Sequence, residues 1–140
     1  TVYESEVVGL SLAIHLLETE RDLELPATIY IDNQAAIKAS NLFSSKSGHY
    51  LVDRFRDAVA KLRKSLRCKK KDISICWISG HDGVEGNEKA DEEAKKAAEG
   101  TRHSSPARRL PTFLRRGALP LSASVLKQEQ KTASNERWKR

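Results

Sequence analysis

Cysteine is nearly absent from this chain: 140 residues carry two, Cys68 in a lysine-rich segment and Cys76 inside an apolar run. That pair builds neither a disulfide framework nor a set of paired zinc ligands, and it fits a reducing compartment. Long apolar runs are missing too. No stretch approaches the roughly 20 residues that cross a bilayer, and Thr1 opens directly into helical pattern instead of a signal-peptide layout. The expectation is a soluble intracellular protein, nuclear or cytoplasmic, with no membrane partner. Acids are scarce in one region only. Residues 1–100 hold 15 Lys or Arg against 17 Asp or Glu, whereas residues 101–140 hold 10 against 2. The formal charge of +6 therefore resides in the tail, where it raises the odds of nucleic-acid contact.

What is present suffices for one modest core, with 39% of residues apolar. Val7, Leu10, Ile14 and Leu17 recur at helical spacing, and Val8, Leu12 and Leu16 make the opposite side apolar, so the spacing predicts a first helix buried over most of its circumference. Glu6 lies at the edge of the first stripe, and an inward carboxylate needs a partner. ATIYID (27–32) is short, β-branched and aromatic, bounded by Pro26 and Asn33, and reads as a central strand ending at Asp32. NQAAIKAS follows as a helix with Asn33 as its cap. After the loop FSSKSGH (43–49), Leu51, Phe55, Val59, Leu62 and Leu66 form the stripe of a long amphipathic helix whose other side carries Arg56, Lys61, Arg63, Lys64 and Arg67. DISICWIS (72–79) reads as a second buried strand, and Ala90, Ala94, Ala97 and Ala98 as a small-residue stripe on a last helix. Strands separated by helices imply a parallel pair in an α/β layout. Past Gly100 the prolines, serines and arginines read as a linker, with a further helix toward the end.

The segment WISGHDGVEGNEKADEEAKKAA (77–98) holds more than a strand-to-helix connection requires. Gly83, Gly86 and Asn87 satisfy the turn and the cap; His81 and Asp91 are left over. In an open α/β sheet the working crevice lies beyond the carboxyl ends of the strands, where Asp32 and His81 fall. Asp91 follows Asn87 by four residues and shares its side of the helix. Glu6, Asp32 and Asp91 thus come from three elements toward one place. Gathered carboxylates repel one another and need counter-charge, which hard divalent cations such as Mg²⁺ supply. Two such ions bind both the attacking water and the leaving oxygen of a phosphoryl displacement. Each residue also has a plain alternative: Asp32 opening an Asx turn, Asp91 a solvated acid near a helix N-terminus, Glu6 a first-turn acid, His81 a turn residue. Taken singly, none of the four decides.

The combined order ESEVVGL, TIYIDNQAAIKA and WISGHDGVEGNEKADEEAK resembles type 1 ribonuclease H, in particular the domain at the end of fungal non-LTR retrotransposon polyproteins. The resemblance covers about residues 1–99, and its third block is the most specific. It implies that Glu6, Asp32 and Asp91 bind two Mg²⁺ ions, with Mn²⁺ as a substitute, and that His81, in a flexible loop, assists proton transfer or product release. Asn87 matches an asparagine that steadies that loop and the substrate backbone, and Glu88 a less critical acid. EVVGL fits the family's glutamate motif, whereas Glu4 leaves a serine in the aliphatic place, which selects Glu6. The implied substrate is the RNA strand of an RNA–DNA hybrid, cut to leave 5′-phosphate and 3′-hydroxyl ends. Asn33, Asn87, Arg56, Arg63, Lys64 and Arg67 are the expected nucleic-acid contacts; for the basic helix the plain alternative is a solvated face.

The family begins with three antiparallel strands, the first carrying a further aspartate that bridges both metals, and this chain opens at the following helix. The expected architecture is therefore a ribonuclease H-like α/β fold lacking its first three strands, with residues 1–99 as a partial domain and 100–140 as a basic linker and tail. Its expected partners are the hybrid and the upstream strands or reverse-transcriptase region of a parent polyprotein. Loss of the bridging ligand is expected to impair metal binding and to leave the chain as it stands inactive. Two other readings remain open: a non-catalytic nucleic-acid-binding fragment of a decayed element, and an integrase-like nuclease, which leaves the GNEKAD block unexplained.

Overall fold

Alternation of side chains in ATIYI and ISICW produces two short strands, β1 (Ala27–Ile31) and β2 (Ile73–Trp77). They pair in parallel, Ala27 opposite Ile73 through Ile31 opposite Trp77. The computed structural model describes residues 2–41, 49–80, 82–117, 119–120 and 123–138. Around the strands lie α1 (Val2–Thr19), α2 (Gln34–Asn41), α3 (His49–Leu66) and α4 (Glu85–Ala98), followed by α5 (Ala123–Trp138). The order helix, strand, helix, helix, strand, helix is the one the sequence implied. The mixed α/β arrangement with a two-stranded parallel sheet is consistent with a ribonuclease H-like fold lacking strands. Among the described residues no helix is long and apolar enough to cross a membrane.

One face of the sheet is apolar and covered. Ile31 and Ile73 are buried, with Ile29 and Ile75 packed beside them, against Val7, Leu10 and Ile14 of α1 and Leu51, Val52, Phe55 and Leu62 of α3. Ser11, the one buried polar residue among the described residues, donates its hydroxyl to the Val7 carbonyl at 3.1 Å, so its own donor is satisfied. On the other face Thr28 and Ser74 join hydroxyls at 2.9 Å and Tyr30 is 62% exposed. The second strand is thus half-buried, with Cys76 and Trp77 exposed, and not the fully buried strand its apolar run predicts.

Two helices depart from expectation in the same way. Only the Val7–Leu10–Ile14 side of α1 is buried; Leu16 is 68% exposed, because α1 packs chiefly on α3 and secondarily on α2. In α4 no residue is buried, and Ala90, Ala94, Ala97 and Ala98 are exposed. Alanine is too short to reach across a gap, and a cavity stands between this helix and α1.

Beyond α4 the chain turns back over α1 and α3. His15 donates Nε2–H to the Arg109 carbonyl at 3.1 Å, and the Arg54 guanidinium lies 5.4 Å from the centre of the Phe113 ring. Tyr50 donates its hydroxyl to the Pro120 carbonyl at 3.3 Å, and Phe113 and Leu119 pack against the core. Short 3₁₀ turns at Ala107–Arg109 and Thr112–Leu114 shape this stretch.

The end of α3 carries a local strain. Cys68 N–H bonds to Arg63 O at 3.1 Å and Arg67 N–H to Lys64 O at 3.3 Å, the paired bonds of a Schellman ending, with Arg67 at φ 50° in the left-handed position usually given to glycine. A side chain there costs roughly 1 kcal/mol. Arg67→Gly is therefore expected to raise stability by about 0.5–1 kcal/mol in urea unfolding; an unchanged or lowered midpoint would refute the strain.

Candidate active site

Asp32 is the first residue past β1, and the continuation of β2 wraps around it. Ile78 N–H bonds to Ile31 O at 3.0 Å, prolonging the pairing beyond Trp77. The Trp77 indole donates Nε1–H to the Asp32 carbonyl at 3.1 Å, and Asn87 donates Nδ2–H to Asp32 Oδ2 at 3.4 Å. Gly80 stands so near that a Cβ there lies 3.0 Å from Asp32 Oδ2. Asn87 reaches this point because it sits in the first turn of α4, and Asp91 follows one turn later on the same side.

Glu6, Gly9 and Ala13 of α1 face Asp32, Asn87 and Asp91 across an open cavity of about 370 Å³. Partial burial, and then the charges of Asp32 and Asp91, push the Glu6 carboxyl above the usual carboxylate range. Three acids from three elements therefore feel one another. They do not close on a point: among the described residues no three His, Cys, Asp or Glu side chains stand together tightly enough to hold one ion. Repulsion between charges reaches further than ligation does, so both observations hold at once. One turn further along α4, the Lys95 ammonium lies 2.8 Å from Asp91 Oδ2. That hydrogen bond, then the Asp91 charge, holds Lys95 above the ordinary lysine value. Lys95 is 72% exposed, so it binds Asp91 weakly and is readily displaced. Carboxylate oxygens repelling one another beside water suit a hard divalent cation.

The raised Glu6 value has a sign. A folded-state pKa above the unfolded one means that Glu6 favours folding below the unfolded value, and that this contribution is lost as pH rises through the folded one. Glu6→Gln is accordingly expected to raise the melting temperature at neutral pH and to leave it nearly unchanged in acid, in thermal melts at the two pH values. A lower melting temperature at neutral pH would contradict the raised pKa.

The other expected residues are dispersed. Asn33 is an N-cap, its Oδ1 accepting Ala36 N–H at 3.1 Å. Arg56 bonds Asp53 at 3.5 Å. Arg63 turns inward, its Nη2 donating to the carbonyls of Lys70 at 3.3 Å and Ile73 at 3.4 Å, while its Nε is buried without a partner. Lys64 and Arg67 are exposed. His81 lies outside the described residues. Trp77 and Gly80 drew no functional expectation from sequence. Their signal is the parallel register: with Ile31 opposite Trp77, residues 78–80 must pass Asp32.

A family model described as RNase H matches residues 2–99, more than half of the chain. Neither the curated proteins nor the solved structures compared with it contain a match.

Proposed function

The chain belongs to the ribonuclease H family, and from that premise we propose that it is the catalytic part of a Mg²⁺-dependent endonuclease that cuts the RNA strand of RNA–DNA hybrids. The family acts on such hybrids and generally uses divalent metal ions. One observation carries the reading for this chain: Glu6, Asp32 and Asp91, far apart in sequence, line one cavity where partial burial, and then the charges of the two aspartates, raise the Glu6 pKa. In this reading the three carboxylates hold the ions, and Asn87 steadies Asp32 and the substrate backbone. When bound, two Mg²⁺ ions, or Mn²⁺ in their place, supply charge neutralisation for the water that attacks phosphorus and for the 3′-oxygen that leaves. His81, by family resemblance, moves a proton. Lys95, exposed and paired with Asp91 at the surface, would give way to a divalent ion held by that carboxylate. Arg56, Arg63 and Lys64 on α3 and Arg67 just past its end, with Asn33, contact the nucleic acid; Lys64 and Arg67 are the exposed members of that set and the natural phosphate contacts.

The parent protein, in this reading, is a retrotransposon polyprotein bearing a reverse transcriptase, and its upstream strands supply a further aspartate. A hybrid-cleavage assay with Mg²⁺ tests this on the chain itself and on a form carrying its upstream sequence. Cleavage that appears or rises sharply with the extension supports it. Hybrid binding without cleavage in both forms supports the second reading, a non-catalytic nucleic-acid-binding fragment, which is favoured by the open arrangement of the acids and by the basic tail.

A further inference from the structure

The contacts around Asp32 carry an inference about residues that play no part in the reading above. We infer that Trp77 and Gly80 are positioning residues that set the Asp32 carboxylate: the indole pins the backbone, and the missing side chain leaves room for the oxygen. The inference rests on the proposed role of Asp32 as a metal ligand.

Trp77 is an unusual place for a large aromatic, 48% exposed at the end of a strand, so burial does not account for it. Its indole N–H, donor-only, is spent on the carbonyl of Asp32 itself at 3.1 Å. The adjacent carbonyl, Ile31 O, is taken by Ile78 N–H at 3.0 Å. Both backbone acceptors at the end of β1 are therefore held by the continuation of β2, and the strand end does not fray where its functional side chain begins. The carboxylate meets a third constraint. Gly80 approaches to where a Cβ lies 3.0 Å from Oδ2, so a methyl group there shifts that oxygen slightly, while its distance of 3.5 Å to the Asp32 Cβ is ordinary contact. With Asn87 Nδ2 at 3.4 Å from the same oxygen, Asp32 is fixed at its carbonyl, along one side and at its tip. Outer partners of this kind typically govern metal affinity by about 10–100-fold.

The experiment uses the form that carries the upstream sequence and Mn²⁺ alone, with bound ion read by electron paramagnetic resonance, so that no catalysis is involved. Trp77→Phe keeps the ring and removes the N–H; Gly80→Ala adds the methyl. Each is expected to weaken Mn²⁺ binding by about tenfold or more while Trp138→Phe, on the 87% exposed second tryptophan, leaves it unchanged. Unaltered Mn²⁺ affinity in both Trp77→Phe and Gly80→Ala overturns the inference and leaves the role of Asp32 standing. If instead the unsubstituted chain binds no Mn²⁺, or Asp32→Asn binds it equally well, the metal role of Asp32 fails and the inference falls with it. Should Trp77→Phe not fold, Gly80→Ala and the exchange rate of the Trp77 indole N–H in the unsubstituted chain decide. Exchange as fast as that of Trp138 overturns the inference; slower exchange with weakened Mn²⁺ binding in Gly80→Ala upholds it.

Discussion

Asp32→Asn is expected to lower hybrid cleavage by about two to three orders of magnitude or more, measured in the form that carries the upstream sequence, with the melting temperature unchanged or slightly raised. The two effects have one cause. Asparagine keeps the size of the side chain and one acceptor oxygen, so Asn87 retains a partner and Trp77 still holds the backbone carbonyl. What disappears is the negative charge. That charge helps push up the Glu6 pKa, so its removal relaxes the folded protein at neutral pH while depriving a divalent ion of a ligand. A misfolded variant loses activity and stability together. Loss of cleavage with retained stability marks a site residue, and cleavage within a few-fold of the unsubstituted protein would falsify the proposed role.

The second large effect concerns the core. Ile14 is 1% exposed on the side of α1 that meets α3, and Leu16, two residues on, is 68% exposed. Ile14→Ala removes buried methylenes and leaves a cavity, at a cost of about 2–5 kcal/mol. Since domains of ordinary stability hold only about 5–15 kcal/mol, that loss is a large share of the total, visible as a fall in melting temperature on the order of 10 °C. Leu16→Ala is expected to stay within about 0.5 kcal/mol. Equal costs for the two would mean that both apolar sides of α1 are covered in solution, as the Val8–Leu12–Leu16 pattern in the sequence implies. The pair therefore tests which face of the helix is core.

That pair also shows where reading the sequence stops. Period-2 and period-3.6 patterns specified both strands, the long amphipathic helix and the position of Asp32 immediately after β1, because each depends on residues a few places apart. The four-residue spacing of Asn87 and Asp91 likewise fixed their common side of α4, and both face the cavity. A helix with two apolar stripes, however, does not say which stripe finds a partner. The alanines of α4 had the spacing of a packing face and are exposed, since small residues pack only if another element comes close.

The basic residues near the end of α3 separate for a related reason. Arg56, Arg63 and Lys64 of α3 and Arg67 just past its end belong to one charged region, yet Arg63 is drawn inward by the carbonyls of Lys70 and Ile73, a consequence of the turn between α3 and β2. The residues beyond Gly100 read as linker by composition. Phe113 and Leu119 nonetheless pack on the core, and Arg109 meets His15 across 94 positions of sequence.

By itself the sequence determined which segments become helix or strand and which acids stand at element ends, because helix and strand preferences act over a few neighbouring residues. Only the tertiary structure decided that Trp77 bonds the Asp32 carbonyl 45 residues away and that Gly80 passes beside its carboxylate. Such contacts depend on how packed elements bring distant parts of the chain together, and on side-chain orientations chosen among competing partners. Neither is written in any local pattern of residues.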